Sequence, residues 1–491
     1  MLALLIGLLI SAGLLLRGSW DLWAQSAFFI AVSAGTAAWL LSRLIVGYVP
    51  LPPRRLLAWA FLLAVLSGVA AYTSPVAAYA VASWRVTLLG LWVFCAMAAV
   101  SKDERALIDE AVRAAGWFLV LLAFYQYYHD SMDRPASALL NQNVFAGTVL
   151  MLLPLAVQRH DWFLTGALAV CLWWAHSVGA WLGLAGALVL TRRSRDAVGN
   201  YAGMGLLFVC LVLIYGKLQS PEVLHRWYWW RAAWGMALDR PLTGFGPGSY
   251  AYVAPSFFDP AHGLSALYAH EHFLETAAEN GWLYLAVWAA GLVYFLRRGA
   301  PHKRFGALAI LIQALWDYPL SIPANFWLFC YFAASTTPQA SRGLNVPYAR
   351  KVPWALAVCA AAGLVCVWAA RDWEADRLKA AALDGFKGGE VSAAAALVQL
   401  DRSLALSPDS EAERAAAEIL LAQKPRPSEQ AARAAAAHLE RAARLNPYRP
   451  STWTALDRLY IALGEPERGD RLRQEGARYC PVLRVEPAAA P

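Results

Sequence analysis

The chain has 491 residues, 59% of them hydrophobic and 15% charged, with 23 Trp and 34 Gly. Soluble domains average roughly 45–50% and 25%, so a soluble single-core protein and a disordered chain are both excluded. The net charge of +8 lies wholly in residues 1–370, with 24 Lys+Arg against 16 Asp+Glu, while residues 371–491 carry 18 of each. A basic excess confined between apolar runs describes membrane topology rather than a nucleic-acid partner.

Apolar runs of spanning or near-spanning length recur at about 1–16, 22–41, 55–73, 78–100, 113–128, 142–157, 161–175, 177–191, 199–216, 281–296, 304–317, 321–337 and 352–370. A hydrocarbon core of about 30 Å needs roughly 20 helical residues, which predicts about 12–13 transmembrane helices, the shorter runs borrowing flanking residues or tilting. The pair at 161–191 reads either as two spans or as one bent helix with a re-entrant turn. The first run has neither a basic leader nor a small-residue cleavage site and is expected to be retained. The fold class expected is therefore an all-α polytopic membrane protein over 1–370, with a helical domain over 371–491.

Alternate loops hold Arg43, Arg54, Arg55, Lys102, Arg105, Arg113, Arg159, Arg192, Arg193, Arg195, Arg297, Arg298, Lys303, Arg304, Arg342, Arg350 and Lys351, against six acids, a net +11. The remainder of the membrane half stands at −3. The asymmetry assigns the basic loops to the cytoplasm, as solvated charge. Thirteen spans then put the N-terminus inside and both the 217–280 loop and the 371–491 tail outside. Of the seven cysteines, only Cys480 is exported, so no intramolecular disulfide is expected in the tail.

The tail is Ala-rich and punctuated by Pro408, Pro425, Pro447 and Pro466. The stretches "AALVQLDRSLALSPDSEAER" and "AAAAHLERAARLNPYRPSTW" read as offset copies, each a helix ending in Leu-x-Pro before a new helix. The pattern resembles tetratricopeptide repeats, whose period is about 34 residues; a plain helical cap is the alternative. Such a surface implies a periplasmic protein partner.

Ionisable groups at membrane depth are expensive and usually functional or paired. In this topology Arg85, Asn141, Asn143, His176, Ser177, Arg226, Arg231, His262, His270, Glu271, His272, Glu275 and Glu279 all gather at the outer face. Arg226 and Arg231 sit among Trp227, Tyr228, Trp229, Trp230 and Trp234, which reads as headgroup anchors or as a guanidinium clamp on phosphate. The glycines Gly244, Gly246 and Gly248 form a tight turn, and no strand precedes them as a dinucleotide fingerprint requires. For His270-Glu271-His272 three readings stand: a metal site with Glu275, structural polar groups at a helix start, or a general base oriented by a carboxylate. No zinc-type cysteine spacing occurs, and neither a metal nor another cofactor is expected.

Taken together, "HEHFLETAAENGWLY" resembles the signature of the O-antigen ligase and polymerase family, with His270, Gly281 and Tyr284 in register and Glu271 where an Asn, Ser or Gln is usual. Arg226 with Trp230, then Pro241, Gly244, Gly246, Gly248 and Tyr250, resemble the family's arginine helix and glycine turn. "LLNQNVFAGTVLMLLP", with Asn141 and Asn143, and "DYPLSIPANFWLF" resemble flanking spans, so the similarity covers roughly 135–340. The family has Ser-Arg-Gly where this chain has Ser177-Val178-Gly179, which moves the charge to Arg226, Arg85 or His176, or alters the activity.

The resemblance implies an inverting, metal-independent glycosyltransferase of the C-type membrane superfamily in the bacterial inner membrane. It implies transfer of a glycan from undecaprenyl diphosphate to a hydroxyl of a glycolipid, glycan or protein, in lipopolysaccharide or surface-polysaccharide biosynthesis. His270 would be the catalytic base; Arg226, Arg231, Arg85, His176, His272, Glu271, Asn141 and Asn143 would bind donor or glycan. Polymerisation of repeat units and protein O-glycosylation are the related alternatives, and a non-enzymatic transporter or scaffold with a docking tail is the alternative of another class.

Overall fold

The structure, a computed structural model, describes residues 1–191, 204, 205, 208, 212, 221–258, 266–298, 300–337, 340, 342–422 and 427–484. The run expected at 199–216 lies mostly outside these residues, and His262 lies outside them altogether. The protein is an all-α polytopic membrane protein. In chain order the membrane half holds α1 (Leu2–Leu15), α2 (Leu22–Val46), α3 (Arg54–Tyr72), α4 (Ala77–Ala96), α5 (Lys102–Tyr128), α6 (Gln142–Gln158), α7 (Trp162–Trp174), α8 (Val178–Thr191), α9 (Pro221–Asp239), α10 (His272–Leu296), α11 (Pro301–Gln313) and α12 (Pro323–Ala333). A long helix, α13 (Tyr348–Lys387), leads into the tail. Leu22–Val46, Arg54–Tyr72, Ala77–Ala99 and Tyr348–Lys387 are long and apolar enough to cross a membrane, and Leu2–Leu15, Gln142–Gln158, Trp162–Trp174 and Val178–Thr191 are shorter apolar helices.

Local chemistry fixes the starts of these helices. Before α5, Ser101 Oγ accepts from the Glu104 N–H at 3.2 Å while Glu104 returns a bond to the Ser101 N–H at 2.8 Å, the reciprocal pair that satisfies two orphan donors. Asp161 accepts the Leu164 N–H at 3.1 Å and opens α7. The 161–191 stretch forms two helices with His176 in a left-handed turn between them (φ 49°). Packing then closes the bundle: α13 lies along α2, α11 against α6 and α8, and α12 against α1 and α4.

Among the described residues, several of the basic loops meet at one end. At the basic end, β1 (Tyr48–Leu51) pairs antiparallel with β2 (Arg342–Asn345), Tyr48 opposite Asn345 and Leu51 opposite Arg342. The charge at this end is not merely solvated, contrary to expectation: Lys303 and Asp109 are 4% and 8% exposed. The loops close over one another, so burial forces their charges into pairs. Lys303 Nζ stands 2.6 Å from Asp109 Oδ1, the Tyr331 hydroxyl joins both at 2.8 and 2.7 Å, and Arg105 donates to the Ser335 and Thr337 carbonyls at 2.8 and 2.9 Å. At the other end, Ser67 Oγ donates to Asn280 at 2.7 Å and the His272 N–H to the Ala314 carbonyl at 2.8 Å.

The tail continues through α14 (Ala393–Leu406), α15 (Ser410–Leu421), α16 (Glu429–Leu445), α17 (Pro450–Ala462) and α18 (Pro466–Tyr479), each packed on the next. Buried alanines such as Ala417, Ala435 and Ala436 let the helices approach, around Leu439, Trp453 and Tyr460. The division expected at 370/371 falls inside α13, which runs unbroken through it.

Candidate functional site

The end of the bundle opposite the basic loops is organised by a break in α10. Gly281 adopts φ 82°, ψ 163°, outside helical geometry, which leaves the last carbonyls of the 272–280 segment without partners along the helix. The glycine turn supplies them: Phe245 N–H donates to the Ala278 carbonyl at 3.0 Å and Gly246 N–H to that of Glu279 at 2.7 Å. Trp282 N–H in turn reaches the Pro241 carbonyl at 2.9 Å. Gly244 lies against the backbone of Glu279 at φ 63°, so a Cβ there would overlap it. The turn and the helix break form one unit, closed by Glu279 Oε1, which accepts the Tyr250 N–H at 3.0 Å.

His270 lies just before α10, in a left-handed conformation (φ 56°). Its ring stacks on Trp229 of α9 at 4.6 Å between centroids and meets the edge of Tyr318 at 4.7 Å. Nδ1 stands 3.2 Å from Asp317 Oδ1, without the alignment of a hydrogen bond. Asp317 is 3% exposed and is held by the Tyr318 N–H at 3.0 Å. Arg226 donates to the carbonyl of Trp316, and Trp230 packs on the Trp316 ring at 5.6 Å. The three consecutive residues 316–318 thus bring Arg226 and His270 to one place.

On the other side of Tyr318 lies a cavity of about 380 Å³. Tyr318 stacks on Tyr268 at 4.5 Å, and Tyr268 lines the cavity with Trp20, Tyr79, Tyr252, His272, Glu275, Thr276, Glu279, Asn280, Tyr284, Trp288 and Ser321. Glu275 accepts the Ala269 N–H at 2.6 Å and the Ser321 hydroxyl at 2.7 Å. These groups precede the apolar 281–296 stretch. Burial holds the Glu275 carboxyl above the ordinary carboxylate range, with Glu279 adding to the shift, and burial also raises Glu279. Burial drives His272 down to about 4, so its imidazole is neutral.

The tail packs against Tyr79, one of the residues that line this cavity. The Tyr79 hydroxyl donates to Asp409 at 3.0 Å and lies 2.9 Å from Ser410 Oγ, while Lys379 Nζ is 2.7 Å from the other Asp409 oxygen. Tyr79 stacks on Tyr252 at 4.2 Å, and Tyr448 of the tail packs edge-on to Phe245 at 6.2 Å.

The expected site residues do not all converge. Arg226 and His270 meet at 316–318. His272 lines the cavity, whereas Glu271 caps α10, accepting the Phe273 N–H at 3.4 Å and the Leu274 N–H. Arg231 and His176 are exposed. Asn141 caps α6 by accepting the Asn143 N–H at 2.7 Å, and the Asn143 carbonyl takes a 2.7 Å bond from Gln313, beside Ala314 that holds His272. Arg85, 2% exposed, is matched by Asp372 of α13 and covered by Trp368 at 4.6 Å, away from His270. Asp317, Tyr318 and Ser321 were not expected from the sequence. The one signal for them is the acid in "DYPLS", which follows an apolar run.

Residues 163–289 match the family model described as O-antigen ligase. The matched segment contains Arg226, the glycine turn, His270 and Gly281, and leaves Arg85, Asn141, Asn143 and Asp317 outside it. This similarity supports an O-antigen ligase-like or polymerase-like function and glycolipid substrates. No curated protein matches the chain.

Proposed function

We propose that the protein transfers a glycan from undecaprenyl diphosphate to an acceptor hydroxyl at the periplasmic face of the bacterial inner membrane, in lipopolysaccharide or surface-polysaccharide biosynthesis. The carrying observation is His270 beside buried Asp317, at 3.2 Å, with Arg226 on the same 316–318 turn. An imidazole can take a hydroxyl proton, which is what a general base needs, and the carboxylate beside it is placed to hold the ring in position. The acceptor oxygen attacks the anomeric carbon, the bond to the diphosphate breaks, and the configuration inverts. Arg226, with Arg231 on the exposed face of α9, stabilises the leaving diphosphate without a metal ion. The basic loops face the cytoplasm, and the tail, a helical-repeat domain, stands in the periplasm.

His270→Ala tests this in membranes supplied with lipid-linked glycan. The expected outcome is a loss of about 10²–10⁴-fold in transfer with unchanged membrane insertion. Undiminished transfer by an inserted variant would overturn the role. Arg226→Ala is expected to raise KM for the donor as well as lower kcat.

A further inference from the structure

The cavity beside the His270 turn carries an inference that rests on the transfer reading and extends it. Among the described residues its lining contains no lysine and no arginine, and the ionisable groups there are tyrosines, Glu275, Glu279 and His272. On the adjoining stretches Arg17 is matched by Asp21 at 3.0 Å, Lys379 by Asp409 at 2.7 Å and Arg85 by Asp372, while Arg240 lies over the Phe245 ring and donates to the Thr73 carbonyl. A diphosphate placed here would meet two carboxyl groups and no counter-charge. A hydrocarbon chain would leave the remaining hydrogen-bonding capacity of Glu275, Glu279 and Asn280 unmet, beyond the bonds they already take from Ala269, Ser321, Tyr250 and Ser67. Polar acceptors alternating with aromatic faces suit one chemistry, an uncharged polyhydroxylated ring.

We propose that this cavity is a binding site for the neutral sugar portion of a substrate, separate from the diphosphate end held by Arg226. Trp20, Tyr252 and Tyr268 offer ring faces to the C–H side of a pyranose. Glu279, Asn280 and Ser321 offer acceptors and donors to its hydroxyls. The volume of about 380 Å³ falls at the lower end of the roughly 300–1,000 Å³ of small-molecule sites, which fits a short saccharide rather than a long chain. Both carboxyls are held above the ordinary range by burial, so they can serve as hydroxyl-like partners instead of bare anions.

The test is saturation-transfer difference NMR on the full chain in a detergent without a sugar headgroup, with methyl hexopyranosides and N-acetylglucosamine as probes. At least one neutral sugar should receive saturation. Thr276→Trp, which fills the cavity, should abolish the signal, and Tyr252→Ala, which removes one wall, should weaken binding at least fivefold. Tyr252→Ala alone decides the matter if Thr276→Trp does not fold. Inorganic pyrophosphate at equal concentration should not displace the sugar, and Arg226→Ala and His270→Ala should leave its signal intact. Silence from every neutral sugar, a signal that survives Tyr252→Ala unchanged, or competitive displacement by pyrophosphate overturns the proposal. The readout is independent of transfer: a sugar that binds in a chain whose transfer ignores His270 sinks the reaction and keeps the cavity, and the converse result sinks the cavity alone.

Discussion

At the scale of single residues, the proposed site depends on Asp317 as much as on His270. In the proposed reaction a carboxylate 3.2 Å from Nδ1 would stabilise the imidazolium that forms when the ring takes a proton. Asp317→Asn is therefore expected to lower kcat by about 10²-fold or more while leaving KM for either substrate nearly unchanged; steady-state kinetics in membranes checks it, and a loss confined to KM would argue for substrate contact instead. His270 was legible because its spacing to Gly281 and Tyr284 is a local motif. Asp317 was not, since it reaches His270 only through tertiary packing and its own surroundings read as the end of an apolar run. Glu275 and Glu279 were visible as acids on one helix face, but that they border a cavity with no lysine or arginine among its described lining residues is a property of several elements at once.

Among the elements, the basic end holds the clearest stability test. Lys303 and Asp109 are buried together, and removing Lys303 leaves Asp109 with only the longer 4.0 Å contact to Arg159. Lys303→Met should cost about 3–5 kcal/mol, and the double variant with Asp109→Leu should recover most of it. Thermal unfolding in detergent reports both; equal losses in single and double variants would show that the pair itself, not the orphaned charge, matters. In the tail, Glu413 bridges α15 to α16. Burial alone would raise its carboxyl, but His438 at 2.6 Å and Arg441 at 2.8 Å outweigh that and hold it below the usual range. The folded value thus lies under the unfolded one. Its stabilisation is present above the ordinary glutamate value of about 4.3 and is lost as pH falls through the folded value. Circular-dichroism melts of the full chain should show a tail transition that weakens on acidification through that window, and Glu413→Gln should flatten the dependence. The apolar helices were readable because a spanning run is a local signal; β1 and β2 were not, because each is four residues long and the paired residues Tyr48 and Asn345 lie in loops far apart in the sequence.

For the whole molecule, the tail buttresses a wall of the cavity. Removal of residues 388–491 leaves α13 and the Arg85–Asp372 pair but takes Asp409 and Ser410 from Tyr79 and Tyr448 from Phe245. Transfer by that truncation should fall at least tenfold in the membrane assay, and full activity would make the tail an accessory. Charge sorting of the loops was readable as a whole, because alternation along a polytopic chain is a one-dimensional pattern. The docking of the tail was not, since it depends on the direction in which α13 leaves the bundle. That helix, 40 residues from Tyr348 to Lys387, is about 60 Å long at 1.5 Å per residue, roughly twice the hydrocarbon thickness. It emerges from the lipid as a continuous rod. A protease working from the aqueous side therefore finds no hinge between the two halves, and limited digestion of the intact protein should yield no fragment ending near residue 371.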